Sequence, residues 1–306
     1  MKKILMIACM GLAAFAFFCC TDEYTPGSAI PEKDTQMQLK SVAVDSGLQT
    51  ASGTNGGFAN GDTIGLYLDE YRFGSPFVFA ARSNYGWQLS EPVFLTDKPL
   101  RLMAYYPYRH SGHARLSEKA VYVEHVTQTD YMYGLVSGGY VSREQPYADI
   151  LMRHALALVR FRFIRNDYPH DCSVGRIAIR NAEGVHLLHS RGSLDLESGQ
   201  VDPVEGYYDQ ATIRPYDMNF YDPEAGPEQY ACILVIPTGP VRENGDLFFE
   251  FEIDGHIYIW PVKAGTLWQA GMKYTYQVEM VPAARTVKTS GIAADINVVF
   301  TRTSKY

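Results

Sequence analysis

The chain has 306 residues and a formal net charge of −7, with 46% hydrophobic and 13% aromatic residues. The negative balance argues against nucleic acid as a partner, because no basic stripe is present to neutralise a phosphate backbone. The length leaves room for two domains of ordinary size after a short leader, and the richness in Tyr, Val, Ile, Phe and Gly favours strands over helices.

The leader comes first. Lys2 and Lys3 form a positive start, and Ile4 to Phe18 is an unbroken run of apolar or small residues ending at Cys19-Cys20. That run is shorter than the ~20 residues needed to span a bilayer as a helix, so it reads as a lipoprotein signal peptide over 1–19. Cys20 is the better lipidation site, because Cys19 places a small residue at the cleavage position where Phe18 would be bulky. A diacylglyceryl group plus an N-acyl chain supplies the two or more chains that stable anchoring requires. Residues 20–36 are polar, hold Pro26 and Pro31, and show no periodicity, which predicts a flexible tether.

From residue 37 onward, short apolar runs alternate with turn clusters. Strands are expected at 37–45, 63–68, 76–81, 100–106, 120–126 and 156–164, and again at 174–179, 231–236, 247–253, 257–262, 274–280 and 296–301. The alternation is cleanest in Phe249-Glu250-Phe251-Glu252-Ile253, which predicts one buried and one wet face. Regular spacing with Gly, Pro, Asn and Asp turns points to an all-β chain of antiparallel sandwiches. The polar stretch 142–152 marks a boundary between a domain over 37–148 and a second over 149–306. Residues 199–229 form the longest stretch without strand pattern and read as a long loop.

The side chains carry little sign of catalysis. His110 and His113, and His186 and His189, have the spacing of metal ligands, but a three-residue offset in a strand puts them on opposite faces. His154 adjoins an apolar run and reads as a hydrogen-bonded, half-buried histidine rather than a ligand. No nucleophile elbow occurs, and Glu250 and Glu252 both point to a solvated face rather than forming an acid–base pair. The expectation is a non-enzymatic protein without cofactor or metal. Cys172 and Cys232, the cysteines past the leader, could form a disulfide or serve as buried small apolar residues; both readings stay open. Tyr207 and Tyr208, within the long loop, offer rings for stacking on sugars, so surface glycan binding is the alternative function.

Several segments resemble one family in their order along the chain. Phe58-Ala59-Asn60-Gly61-Asp62-Thr63-Ile64-Gly65-Leu66-Tyr67 is similar to an early element of fimbrillin-like lipoproteins. Tyr105-Tyr106-Pro107-Tyr108, Thr129-Asp130-Tyr131-Met132-Tyr133-Gly134 and Arg153-His154-Ala155-Leu156-Ala157-Leu158-Val159-Arg160-Phe161 resemble successive later ones, and Gly271-Met272-Lys273-Tyr274-Thr275-Tyr276 their closing strand. Asp22-Glu23, just past Cys20, resembles a tag that sends lipoproteins of some Gram-negative gut anaerobes to the outer face of the outer membrane.

The resemblance implies two transthyretin-like β-sandwich domains in a subunit of Bacteroides-type type V pili. It further implies a lipid anchor in the outer membrane, other pilin subunits as partners, and adhesion to a host or bacterial surface. Assembly in that family is by strand exchange: a protease removes the first strand and a neighbour's strand fills the groove. Residues 37–45 would be that first strand. Residues 292–302, with Ile296, Val298 and Phe300 on one face, are a candidate donor strand, an ordinary terminal edge strand being the other reading. No arginine lies between Cys20 and Arg72, whereas stalk subunits of oral members are cut at an arginine soon after the first strand. That departure favours an anchor, tip or accessory subunit over a stalk subunit.

Overall fold

A computed structural model describes residues 35–45, 57–72, 77–108, 114–115, 119–165, 173–215, 230–282 and 294–305. Among them there are nineteen strands and no helix. The first nine are β1 (Gln38–Val44), β2 (Thr63–Leu68), β3 (Phe77–Ser83), β4 (Gly86–Leu89), β5 (Leu102–Tyr106), β6 (Ala114–Arg115), β7 (Ala120–Glu124), β8 (Met132–Val136) and β9 (Tyr147–His154). The next five are β10 (Ala157–Arg165), β11 (Val174–Asn181), β12 (Arg191–Asp195), β13 (Val201–Pro203) and β14 (Ala211–Ile213). The last five are β15 (Ala231–Val235), β16 (Leu247–Ile253), β17 (His256–Pro261), β18 (Met272–Pro282) and β19 (Ala294–Lys305). The chain is all-β, as its composition predicts.

Seven strands form one sheet in the order β1-β9-β8-β5-β2-β3-β4. The sheet curls until β1 and β4 lie within 8 Å of each other, Cα to Cα. Residues just ahead of β1 close the curl: the Met37 N–H donates to Val93 O at 2.8 Å, and the Leu95 N–H to Thr35 O at 2.9 Å. Alternate residues of each strand then meet inside, where Ile64, Leu66, Leu68, Ala104, Ile150 and Met152 are buried. Gly65 is required here. A Cβ at that position would sit 2.1 Å from the ring of Tyr105, its partner across β2 and β5, so the aromatic side chain lies over the glycine backbone.

The second half of the chain forms two four-stranded sheets, β15-β10-β18-β19 and β14-β11-β16-β17. Their inner faces share a core of Phe161, Phe249, Phe251, Trp268 and Tyr276 with the surrounding aliphatic residues. The Phe161 ring meets Phe249 and Phe251 edge-on, at centroid distances of 5.0 and 5.2 Å. On the outer face the Glu250 carboxylate takes hydrogen bonds from both Arg176 and Arg180. Burial alone would raise the Glu250 pKa, but these two guanidinium groups outweigh it and lower the pKa.

A fourth sheet, β13-β12-β7-β6, mixes the two halves, since β7 pairs with β12 from Ala120↔Asp195 to Glu124↔Arg191. Beneath it a separate core gathers Met103 and Tyr105 of β5, Val121 and Val123 of β7, Leu194 of β12 and Leu234 of β15. Two side chains lock this joint. The Gln128 amide donates to Leu234 O at 2.9 Å and accepts from the Leu234 N–H at 2.7 Å, standing in for a strand along the β15 edge. His125 is fully buried; its Nδ1 accepts the Ile236 N–H at 3.4 Å, which leaves Nε2–H to donate to Asp209 O at 2.9 Å. Burial holds its pKa down at about 4.

Three features differ from the sequence-based expectations. The ladders β1–β9 and β10–β18 are parallel, whereas the other ladders among the described strands are antiparallel. The stretch expected as a polar boundary carries β9, so the division after residue 148 falls inside a strand that pairs with β8 on one side and β1 on the other. The expected loop 199–229 contains β13 and β14, while 216–229 lie outside the described residues.

Candidate strand-exchange site

Both ends of the described chain are strands at sheet edges. β19 pairs antiparallel with β18 from Met272↔Lys305 to Pro282↔Ala294. A bulge after Thr275 interrupts the register, and the Thr301 hydroxyl spans it by donating to Thr275 O at 3.0 Å. The register sets Ile296 opposite Met280, Val298 opposite Val278 and Phe300 opposite Tyr276. Val298 is buried in the core of the sandwich and its neighbour Val299 is exposed, as alternation along a strand requires.

Among the described strands β1 pairs only with β9, in parallel, and is itself bulged between Leu39 and Ser41. Leu39, together with Met37 just ahead of the strand, is buried in the curled sheet, and Val42 and Val44 pack against that core half-buried. Ser41 donates to the Asp149 carboxylate across the ladder. Immediately after β1, Asp45 Oδ2 accepts from Arg153 Nε at 3.2 Å and from Lys305 Nζ at 2.6 Å. The hydrogen bond from Lys305 is the largest cause of its lowered pKa. One carboxylate therefore joins the ends of β1, β9 and β19.

His154, at the end of β9, has a fully buried side chain and meets the Asp130 carboxylate through Nδ1 at 2.9 Å. The Tyr207 ring lies 4.3 Å from the Arg191 guanidinium, and the Tyr208 ring stacks on His186 at 4.2 Å between centroids. His189 also approaches Tyr208, at 5.0 Å, and its Nε2 lies 3.5 Å from Glu205. Residues 184–190 are not a strand, so His186 and His189 turn to the same ring instead of opposite faces. At least one face of each tyrosine ring is thus already occupied. Cys232 is a free thiol whose pKa burial raises to about 11. Cys20, Cys172, His110 and His113 lie outside the described residues.

The model of the fimbrillin-like family matches residues 50–297, most of the chain. The chain belongs to the fimbrillin-like family. No curated protein matches this sequence. Among solved structures, a candidate cell-adhesion protein from Bacteroides uniformis shares the fold at a TM-score of 0.59 and 14% identity, covering 88% of this chain and 99% of that one. A second, from Bacteroides ovatus, also reaches a TM-score of 0.59 at 15% identity, with 90% and 98% coverage.

The fold gives physical reasons for elements of the fimbrillin-like pattern. Gly65 makes room for Tyr105, and Gly134 sits where a Cβ would meet Met152 Sδ at 2.7 Å and Leu151 O at 2.8 Å. Asp130 and His154, from two separate motifs, form one part-buried contact. β1 and most of β19 fall outside the matched segment, and Asp45 carries no local signal because its partner Lys305 is 260 residues away.

Proposed function

We propose that this fimbrillin-like protein is a subunit of a surface fimbrium, an anchor, tip or stalk component that assembles by exchanging strands and supports adhesion. In this reading Cys20 holds the protein in the outer membrane by its lipid, residues 20–36 tether it, and other pilin subunits are its partners. The observation that carries the reading is the placement of the two chain ends. Among the described strands β1 and β19 are both terminal in their sheets, each with a ladder to a single neighbour.

The physics of exchange follows from that placement. Removing β1 would strip the ladder from one side of β9, open the closure made by Met37 and Leu95, and uncover the core that Met37 and Leu39 fill. Unpaired backbone groups and exposed apolar surface both favour an incoming strand. Its main-chain bonds would give affinity, and its alternate side chains would set the register. The segment 292–302, with Ile296, Val298 and Phe300 two residues apart, is the donor in this scheme.

Deleting residues 292–306 in cells tests it. Loss of polymeric fimbrial material, with the protein still exported, supports donor-strand assembly; unchanged polymers remove that role from the segment. In parallel, Cys20→Ala abolishes acyl labelling if Cys20 is the anchor.

A further inference from the structure

An open groove of about 470 Å³ lies in the C-terminal sandwich between β19 and the chain that leads from β17 to β18. The buried Phe249, Tyr274, Tyr276 and Val298 line its inner surface, with the half-buried Trp260 and the exposed Lys263 nearer the solvent. Its size falls in the range of about 300–1,000 Å³ typical of sites for small organic molecules.

The wall built from 261–269 is poorly suited to pairing with an added strand. Pro261 has no N–H to give. The N–H groups of Val262, Gly265 and Thr266 already donate to Leu247 O, Val241 O and Lys263 O. Those of Ala264 and Gln269 are taken by Asn244 Oδ1 and the Tyr274 hydroxyl. Strand addition depends on such main-chain bonds, so a wall with most of its N–H groups taken favours an occupant that binds through its side-chain surface.

The charge of the lining is one-sided. Among the described lining residues Lys263 is the one charged side chain and none is a carboxylate, on a chain whose net charge is −7. The Tyr274 oxygen accepts the Gln269 N–H at 2.9 Å, and among the described residues its own proton meets no acceptor. Burial raises its pKa, which keeps that proton in place as a donor. The groove therefore combines an aromatic and aliphatic inner surface with a cation and a hydroxyl donor. Sugar recognition would call for planar polar partners, of which Gln269 alone is available.

We propose that this groove binds an amphipathic anion, a molecule with an extended apolar body and one terminal carboxylate. The apolar body covers Phe249, Trp260, Tyr276 and Val298, and the carboxylate meets the Lys263 ammonium and the Tyr274 hydroxyl.

The test uses the full-length mature chain with dodecanoate and dodecanol as probes, both below their aggregation limits. Calorimetry and tryptophan fluorescence report binding, with Trp260→Phe assigning the optical signal. Saturable dodecanoate binding is expected, weakened about fivefold by Lys263→Ala, a change of about 1 kcal/mol for an exposed charge pair, while dodecanol binding stays constant. Val298→Trp fills the groove and abolishes both; Thr303→Trp, from the same lining, serves if the first variant does not fold. Absence of saturable binding, equal loss of both probes in Lys263→Ala, or binding that survives a filled groove would overturn the proposal. So would self-association that protects Trp260 and is not displaced by dodecanoate, because the occupant would then be a second copy.

Discussion

The two terminal strands occupy equivalent places at the edges of their sheets and are held by different forces. β19 has twelve residues in an antiparallel ladder, so much of its attachment is backbone hydrogen bonding, with Val298 its described core contact. β1 has seven residues, a bulged parallel ladder, and buried apolar anchors at Leu39 and the preceding Met37. Parallel pairing is slightly weaker per residue than antiparallel pairing. The contrast teaches that β1 is retained chiefly by what its side chains fill, whereas β19 is retained chiefly by its length of ladder.

Leu39→Ala should break this comparison most clearly. It removes a buried anchor and leaves a cavity in the curled sheet, at an expected cost of about 3 kcal/mol. Val298→Ala borders the open groove, so its lining can relax or take up solvent, and about 1–2 kcal/mol is expected. Urea denaturation of both variants provides the measurement. A larger loss for Val298→Ala than for Leu39→Ala would refute the assignment of side-chain anchoring to β1.

The joint between the two regions should respond to acid. His125 has a folded pKa of about 4 against an ordinary value of 6.5. The unfolded chain therefore binds the proton first, and stability is full above pH 6.5 and falls as pH drops toward 4. With each unit worth about 1.4 kcal/mol, the loss approaches about 3 kcal/mol at the acid end. His125→Gln should flatten the slope of stability against pH between these limits, although it lowers the plateau by disturbing the bonds to Ile236 and Asp209. An unchanged slope would mean that another group governs the acid response.

The strand pattern was legible wherever alternation was local. β2 and β16 coincide with the runs expected at 63–68 and 247–253: burial alternates along all of β16, and in β2 Ile64, Leu66 and Leu68 are buried at alternate positions, with Gly65 buried between them. β9 was hidden: Tyr147 and Leu151 are exposed apolar residues, while His154 is a buried polar one, so its hydrophobicity does not follow its burial. β8 is absent from the strands expected from the sequence, because Gly134 usually interrupts a strand, yet here the press of Met152 and the Leu151 carbonyl leaves room for no side chain. β12 has only Leu194 as a large apolar residue and is defined by pairing with β7, far away in sequence. The terminal strands of the candidate site could be read from alternation and position. The groove beside β19 and the charge contacts of Asp45 could not, since both arise from segments brought together by the fold.

Asp45 offers the subtlest way to sharpen the comparison between the ends. Its carboxylate holds Arg153 and Lys305 together, but both cations are more than half exposed, with side-chain accessibilities of 54% and 57%. Water and salt screen such pairs, so Asp45→Asn should cost no more than about 1 kcal/mol in global stability. The folded pKa of Asp45 is lowered, so the stabilisation is present above its unfolded pKa near 3.8 and disappears as pH falls through the lower folded value. Amide hydrogen exchange resolves what a denaturation curve blurs. If the carboxylate couples the two strands, Asp45→Asn raises exchange at the end of β1 and at the end of β19 together, and high salt produces the same paired change in the unaltered protein. Faster exchange confined to β1 would show that Lys305 contributes nothing to the join, and that the two edges are independent despite their shared acceptor.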